Sequence, residues 1–362
     1  MRKTVTAWMM FALACAATAQ SRTMGEEPIE RIAFGSCYKT DRDDTVWTTI
    51  QARQPDALIL LGDNVYADTR DEAELRAAWQ ALADTGSFGA LREKTTLLAT
   101  WDDHDYGEND AGREFPLRVE SQRAFLDFLG EPADSARRAR EGVYESYVFG
   151  PEGRRVQVIL LDTRYHRSPL VKREQRGDYA DGRHGWYLQD TSASATMLGD
   201  AQWAWLEGVL REPADLRIIA SSIQVVAEDH HWERWDQFPR ERTRLPRLIE
   251  TTDATGVVFI TGDRHKAEIS LLDVARMDDE ERVDAGHPMY DITASSMNAP
   301  LGGFSNEINR HRLGRVYDGP NFGEILIDWD ATPSPRVTMQ IVDSLTGRVV
   351  VRHGVDLADL RR

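Results

Sequence analysis

Six times along this chain an apolar run, rich in leucine and branched side chains, stops abruptly at a cluster of polar residues. The runs are 31–35 before "SCYKTD", 57–61 before "GDNVYAD", 95–100 before "WDDHD", 156–161 before "DTRYH", 216–220 before "SSIQ" and 257–261 before "GDRH". Runs this short and this apolar read as strands buried on both faces. Between them a period near 3.6 predicts helices over 44–52, 71–83, 116–129, 200–211 and 240–251. Alternating strands and helices predict a layered α/β fold, in which ligands gather beyond the carboxyl ends of the strands. The polar clusters stand at those ends. After about residue 290 helices give way to "MYDITASS", "NFGEILIDW", "RVTMQIVD" and "GRVVVRHG", which predict a second, more antiparallel sheet closing the domain. No internal repeat and no low-complexity tract interrupts the pattern, so a single domain over 30–355 is expected, and 41% hydrophobic residues support its core. The aperiodic stretch 164–197 reads as a long loop at the rim of the site.

Three of the clusters carry metal-ligand chemistry. "LLGDNVYAD" supplies Asp63, Tyr66 and Asp68; "TWDDHDYGEND" supplies Asp102, Asp103, His104, Asp105 and Asn109; "TGDRH" supplies Asp263 and His265. Each alone could be loop punctuation. Brought together at one edge of a sheet, with Cys37 at a fourth strand end, they would repel one another, and a cation is the usual remedy.

The first twenty residues, "MRKTVTAWMMFALACAATAQ", have two positive charges, an apolar stretch and the small triplet Ala17-Thr18-Ala19. They read as a secretory signal peptide over 1–19, with a lipoprotein acylated at Cys15 as the alternative. The apolar stretch is shorter than the roughly 20 residues a membrane span requires, and no other segment is long enough. The protein is therefore expected to be exported, periplasmic or secreted. Removal of the leader leaves Cys37 as the one cysteine, with no partner for a disulfide. The formal charge of −16 becomes −18 without Arg2 and Lys3, which argues against nucleic acid or an anionic lipid surface as a partner. An anionic substrate remains compatible if metal ions reverse the sign locally.

"FGSCYK", "GDNVYAD", "TWDDHDYGEND", "LDTRYHR", "WDQFPRER" and "GDRH", in this order, resemble the alkaline phosphatase D, or PhoD-like, family of the calcineurin-like metallophosphoesterase superfamily. The resemblance covers roughly residues 30 to 330. It implies a four-layer α/β sandwich, two β-sheets flanked by helices, and a binuclear centre of Fe3+ with Ca2+ or another divalent ion. Carried over residue by residue, Cys37, Tyr66 and His265 would bind iron, Asp63 would bridge, and Asp263 with Asn109 would hold the harder cation. Aligned instead on the superfamily's Gly-Asn-His motif, Asp103 takes the asparagine's place and His104 that of the catalytic histidine. The donor chemistry agrees: thiolate, phenolate and imidazole suit a transition metal, carboxylate and amide oxygens suit Ca2+. Two departures stand out. The first strand begins near residue 31, leaving no room for the β-sandwich often preceding the catalytic domain, and the leader has Arg-Lys where the family often has twin arginines.

The expected reaction is hydrolysis of small phosphate monoesters by attack of a metal-bound hydroxide. Arg164 would bind the phosphate oxygens, or make a structural ion pair, and His104 would protonate the leaving group. Two rivals are a phosphodiesterase or phospholipase-D-like hydrolase, and a non-catalytic, calcium-stabilised secreted binding protein. The second leaves Cys37 and Tyr66 unexplained, because neither residue type binds calcium. His230 or His231 in "EDHHWERW" could add one ligand, and "SSMNAP" (295–300) lies near the pocket without an assigned role.

Overall fold

The apolar runs form strands within one residue of their expected ends. The computed structural model describes residues 19–178, 184–272 and 288–361, so the expected leader lies outside the described residues except for Ala19. The strands are β1 (Arg22–Gly25), β2 (Arg31–Gly35), β3 (Ala57–Leu60), β4 (Thr96–Ala99), β5 (Glu145–Phe149), β6 (Val156–Leu160), β7 (Val171–Asp178), β8 (His184–Leu188), β9 (Leu216–Ser221), β10 (Val257–Thr261), β11 (Ala267–Leu272), β12 (Met289–Ala294), β13 (Arg312–Tyr317), β14 (Asn321–Asp328), β15 (Arg336–Asp343) and β16 (Val349–Asp356). The helices are α1 (Thr45–Ala52), α2 (Glu72–Ala83), α3 (Gly86–Arg92), α4 (Asp103–Tyr106), α5 (Arg118–Leu129), α6 (Ala136–Ala139), α7 (Gly199–Leu210) and α8 (Pro239–Thr251). Local chemistry sets the helix ends. Asp71 caps α2 by accepting from the Ala73 and Glu74 amides, and Gly130, left-handed at φ 71°, stops α5.

One sheet runs β1-β5-β6-β9-β10-β12-β11-β13, the other β16-β15-β14-β2-β3-β4. Their parallel parts, β6-β9-β10-β12 and β2-β3-β4, bring the same kind of strand end to the same edge of each sheet. Side chains alternate across each strand. In β2 and β3, Ile32, Phe34 and Ile59 enter the core between the sheets with Val158, Ile218, Ile260, Ile292 and Met339. Ala33, Leu58 and Leu60 face the other way, onto Trp47, Trp79, Phe88 and Phe125 of α1, α2, α3 and α5. The larger sheet likewise sends Ile159, Ile219 and Phe259 outward onto Trp203, Leu206, Leu245 and Ile249 of α7 and α8. Helices, sheet, sheet and helices thus make four layers, and burial on both faces explains why these runs carry no polar alternation.

Two expectations need correction. The late strands do not make a sheet of their own: β12 lies parallel to β10 inside the larger sheet, and β14, β15 and β16 extend the smaller one antiparallel from β2. Pairing was decided by which open strand edge each run met. The stretch 164–197 is not simply a loop, since β7 and β8 pair in it as an antiparallel hairpin. Val171, Trp186 and Leu188 are exposed while Gly185 and Tyr187 are buried, an alternation too short to mark a strand in the sequence.

Candidate metal centre

The two sheets meet at the carboxyl ends of their parallel strands, where Ser36, just past β2, pairs as an isolated bridge with Ser295, just past β12. Around that contact lie the ends of β3, β4, β6, β9 and β10. The approach is close enough to need glycine. At Gly62, φ 107°, a Cβ would fall 2.4 Å from Asp102 Cβ and 2.5 Å from its amide nitrogen. The chain then turns through left-handed conformations at Cys37 (φ 58°), Asp63 (50°), Asp263 (65°) and His265 (51°). Such residues are uncommon, cost on the order of 1–3 kcal/mol each and cluster at functional sites.

Cys37 Sγ, an Asp63 oxygen and a His265 ring nitrogen lie within 4.8 Å of one another. Cys37 Sγ is 3.2 Å from Asp63 Oδ2, and Tyr66 brings its hydroxyl to 3.4 Å from both Asp63 Oδ2 and His265 Nε2. His265 Nδ1 donates to the Ala299 carbonyl at 2.6 Å, which leaves Nε2 as the nitrogen facing the cluster. Burial pushes the Cys37 thiol up, but the facing His265 and the Ser295 and Ser36 hydroxyls outweigh it and bring the thiol down to about 6. Asp63 moves the other way: burial first, then Cys37 and Asp103, hold its carboxyl well above the usual range.

Asp63 also belongs to a second group, with Asp103 and His104, and Asp103 to a third, with Asp102 and Asp263, all within the same span. Burial, then Asp102, drives Asp263 up as well. Asp103 and His104 open α4, whose entry is held by Asp105 Oδ2 accepting the Asp102 amide at 3.1 Å. Asp103 is buried, and its Oδ2 accepts the Asp110 amide at 2.7 Å. Asn109 is exposed. The gathered donors therefore include Asp103, while Asn109 stands six residues further on at the surface. His104 Nδ1 is 2.7 Å from Asp68 Oδ1. Burial lowers its pKa, but Asp103 and Asp68 more than compensate and raise it to about 9.

Arg164 is sealed away from solvent. Its Nε donates to Asp102 Oδ1 at 2.6 Å and its Nη1 to Glu233 Oε1 at 2.9 Å, and Asp103 lies 4.0 Å away. The structure thus puts Arg164 in a buried ion-pair network with Asp102 and Glu233. Glu233, in the "EDHHWERW" segment, is the member of that segment that reaches the cluster: Arg164 and Arg167 both pair with it. His230 is buried, Nε2 donating to Gln224 Oε1 at 2.9 Å while Nδ1 accepts the Trp232 amide. Both its nitrogens are used, so it has no lone pair for a metal. His231 offers its backbone to β8. The hairpin reaches the cluster through Tyr187, whose hydroxyl donates to Asp110.

"SSMNAP", which carried no role in the sequence, frames the site. Ser295 Oγ accepts the His265 amide at 2.7 Å and lies 3.1 Å from Cys37 Sγ; because that amide can only donate, the hydroxyl proton is free for the sulfur. Ala299 orients His265, and Asn298 holds Lys39 through both backbone groups. Nothing short of the β2–β12 convergence could have exposed this.

The donor set fits a pair of cations. Asp63 Oδ1 and Asp102 Oδ2 are buried without a hydrogen-bond partner among the described residues, a cost native proteins seldom leave unmet. A thiolate, a phenol and an imidazole lie on one side of Asp63, carboxylates on the other.

Comparison with known proteins agrees with this architecture. The family model described as PhoD-like phosphatase matches residues 32–316. Alkaline phosphatase D of Bacillus subtilis (strain 168) is 25% identical over 236 residues, 58% of this chain and 36% of that protein; the match spans about a third of the relative's length. Among solved structures, that of PhoD superposes with a TM-score of 0.64 at 18% identity, covering 90% of this chain and 72% of the other. Purple acid phosphatase PPD1 isolated from yellow lupin (Lupinus luteus) seeds gives 0.54 at 12% identity, covering 93% and 54%. The fold is therefore that of metallophosphoesterases.

Proposed function

The chain belongs to the PhoD-like phosphatase family, and we propose that it is an exported hydrolase of phosphate esters that works with a binuclear metal centre. The observation that carries this reading is the double membership of Asp63, whose carboxylate stands in both the sulfur- and nitrogen-bearing group and the oxygen-rich group. Cys37, Tyr66 and His265 would hold a transition metal, Fe3+ as the family resemblance implies. Asp103 and Asp263 would hold the harder one, Ca2+ or another divalent ion, with Asn109 as the alternative to Asp103. Two cations, when bound, lower the pKa of water toward about 7 and stabilise the attacking and leaving oxygens.

The side chains supply the rest. His104, whose Nδ1 is braced by Asp68 at 2.7 Å, would donate its proton to the leaving oxygen. Arg164 is a positioning residue: by clamping Asp102 and standing near Asp103 it fixes the carboxylates at the end of β4. Ser295 and Ala299 hold Cys37 and His265 in the orientation a metal requires.

Metal analysis of the natively exported protein, together with hydrolysis of p-nitrophenyl phosphate and bis(p-nitrophenyl) phosphate, tests the reading. About one iron and at least one calcium per chain are expected, with turnover lost to chelation and regained with both metals. Turnover that survives exhaustive chelation overturns the binuclear centre. Calcium bound without any ester hydrolysis would make the protein a binding module instead.

A further inference from the structure

With Arg164 committed to carboxylates, a side-chain cation for an anionic substrate would have to come from elsewhere in the crevice. Arg167 pairs with Glu233, Arg264 with Glu307, and Lys266 with Glu268 and Glu307. Lys39, two residues past Cys37, differs from all of them. It is half-buried, and among the described residues no carboxylate comes within ion-pair distance of its ammonium. Its Nζ rests instead over the Tyr66 ring, 4.2 Å from the centroid. The same ring packs against His104, centroids 4.2 Å apart, and its hydroxyl lies 3.4 Å from Asp63 and His265.

Lys39 is also held unusually firmly at its backbone. Asn298 Oδ1 accepts the Lys39 amide at 2.8 Å, Asn298 Nδ2 donates to the Lys39 carbonyl at 2.9 Å, and the same Nδ2 reaches the Asp43 carbonyl at 2.9 Å. A loop from the other sheet thus fixes the base of the side chain. The aromatic face attracts the cation without cancelling its charge, whereas a salt bridge would neutralise it. The arrangement keeps a compact positive charge within a side chain's reach of the metal cluster and free to exchange an aromatic face for an anion.

We propose that Lys39 binds the non-bridging oxygens of the substrate phosphate and favours dianionic monoesters over monoanionic diesters, with Asn298 as the residue that positions it. The inference rests on the phosphoesterase reading for its substrate but concerns a contact that reading does not contain. A dianion gains more from one added charge than a monoanion does, so the preference follows from Coulomb's law.

The test compares metal-loaded wild type with Lys39→Met, Lys39→Arg and Asn298→Ala, measuring metal content, KM and kcat for p-nitrophenyl phosphate and its bis ester, and binding of orthophosphate by calorimetry. Lys39→Met should bind its metals normally, raise KM for the monoester and the orthophosphate dissociation constant by about 10-fold or more, and shift the diester constants less. Lys39→Arg should recover most of the loss, and Asn298→Ala should show a smaller loss of the same kind. Unchanged orthophosphate affinity in Lys39→Met, no orthophosphate binding by wild type, or loss of metal together with affinity each overturns the proposal. If wild type hydrolyses neither ester, the phosphoesterase reading fails while the orthophosphate comparison still decides the role of Lys39.

Discussion

Two clusters of buried charge lie side by side at the end of β10, and they are built on opposite principles. In one, Cys37, Asp63, Asp102, Asp103 and Asp263 crowd together, and buried Arg164 pairs with Asp102 and stands near Asp103. In the other, Arg264, Lys266 and Arg312 surround Glu268 and Glu307, three cations to two carboxylates, with Gln224 and Asn309 donating further hydrogen bonds to Glu268. Successive residues divide between them: Arg264 and Lys266 turn to Glu307, while His265 turns to Cys37. In the balanced cluster burial raises Glu268, but Lys266 and Arg312 overcome it and pull it down to about 2. In the crowded cluster burial and like charges act together and drive Asp63 and Asp263 up. One cluster is complete without a ligand. The other is complete only with one, so a buried charge informs on function through what fails to balance it.

The comparison breaks most sharply at Asp63. Asp63→Asn should lower kcat/KM for a phosphomonoester by about 10³-fold or more, beyond the loss of a single transition-state donor, with both cations depleted by metal analysis. In the chelated protein the same change should raise stability by on the order of 1 kcal/mol, because it removes a carboxylate that its neighbours oppose. A variant that keeps its metals and its rate would mean that Asp63 bridges nothing.

Glu268→Gln should do the reverse. It leaves Lys266 and Arg312 short of a buried partner and should cost about 3–5 kcal/mol in urea denaturation, while metal content per folded chain stays at the wild-type level. Metal loss at unchanged stability would show that the two clusters are not separable.

Next in size is the linkage to metal and pH. Adding cation at about 100 times its dissociation constant should stabilise the chelated protein by about 2.7 kcal/mol. The pH profiles should differ in sign. Glu268, held low, contributes stability that is present above about pH 4.5 and is lost as pH falls toward 2. Asp63 and Asp263, held high, contribute stability that is present below about pH 4 and is lost as pH rises through their folded-state values; Asp102, raised by burial to about 8 despite Arg164, extends that loss through pH 8. Thermal melts should therefore peak at mildly acidic pH in chelator and move upward in pH once metals are bound. Identical profiles would remove the distinction.

The smallest expected effect is that of Asn109→Ala. The side chain is exposed, so metal content and rate should change by less than about 2-fold, as for most surface substitutions, whereas Asp103→Ala should lose the harder cation. The opposite result would return Asn109 to the ligand set.

Much of the site was legible because each donor follows an apolar run, and burial on two faces is a strong periodic signal. Cys37, Asp63, Asp103 and His265 all stand within four residues of a strand end. Arg164 was legible as a residue near the site but not as to its role, because a guanidinium beside a strand end reads the same whether a phosphate or a carboxylate faces it. Glu233 gave no signal, and the 295–300 loop was placed near the pocket without a role. They sit on irregular segments, where neither periodicity nor a ligand motif marks a residue that acts through another.

What the sequence determined by itself is the buried strands and the longer helices, the edge at which the polar clusters gather, and the kinds of atom they bring. These depend on local periodicity and on side-chain chemistry, which travel with the chain. The tertiary structure alone decided that the late strands would join both sheets rather than form a second sheet of their own, that Ser295 would meet Ser36, and that Cys37, Asp63, Asp263 and His265 would turn left-handed to face one point. Those outcomes depend on which strand edges and which buried charges meet across more than two hundred residues of chain, and the energy that holds the strained turns in place comes from that meeting.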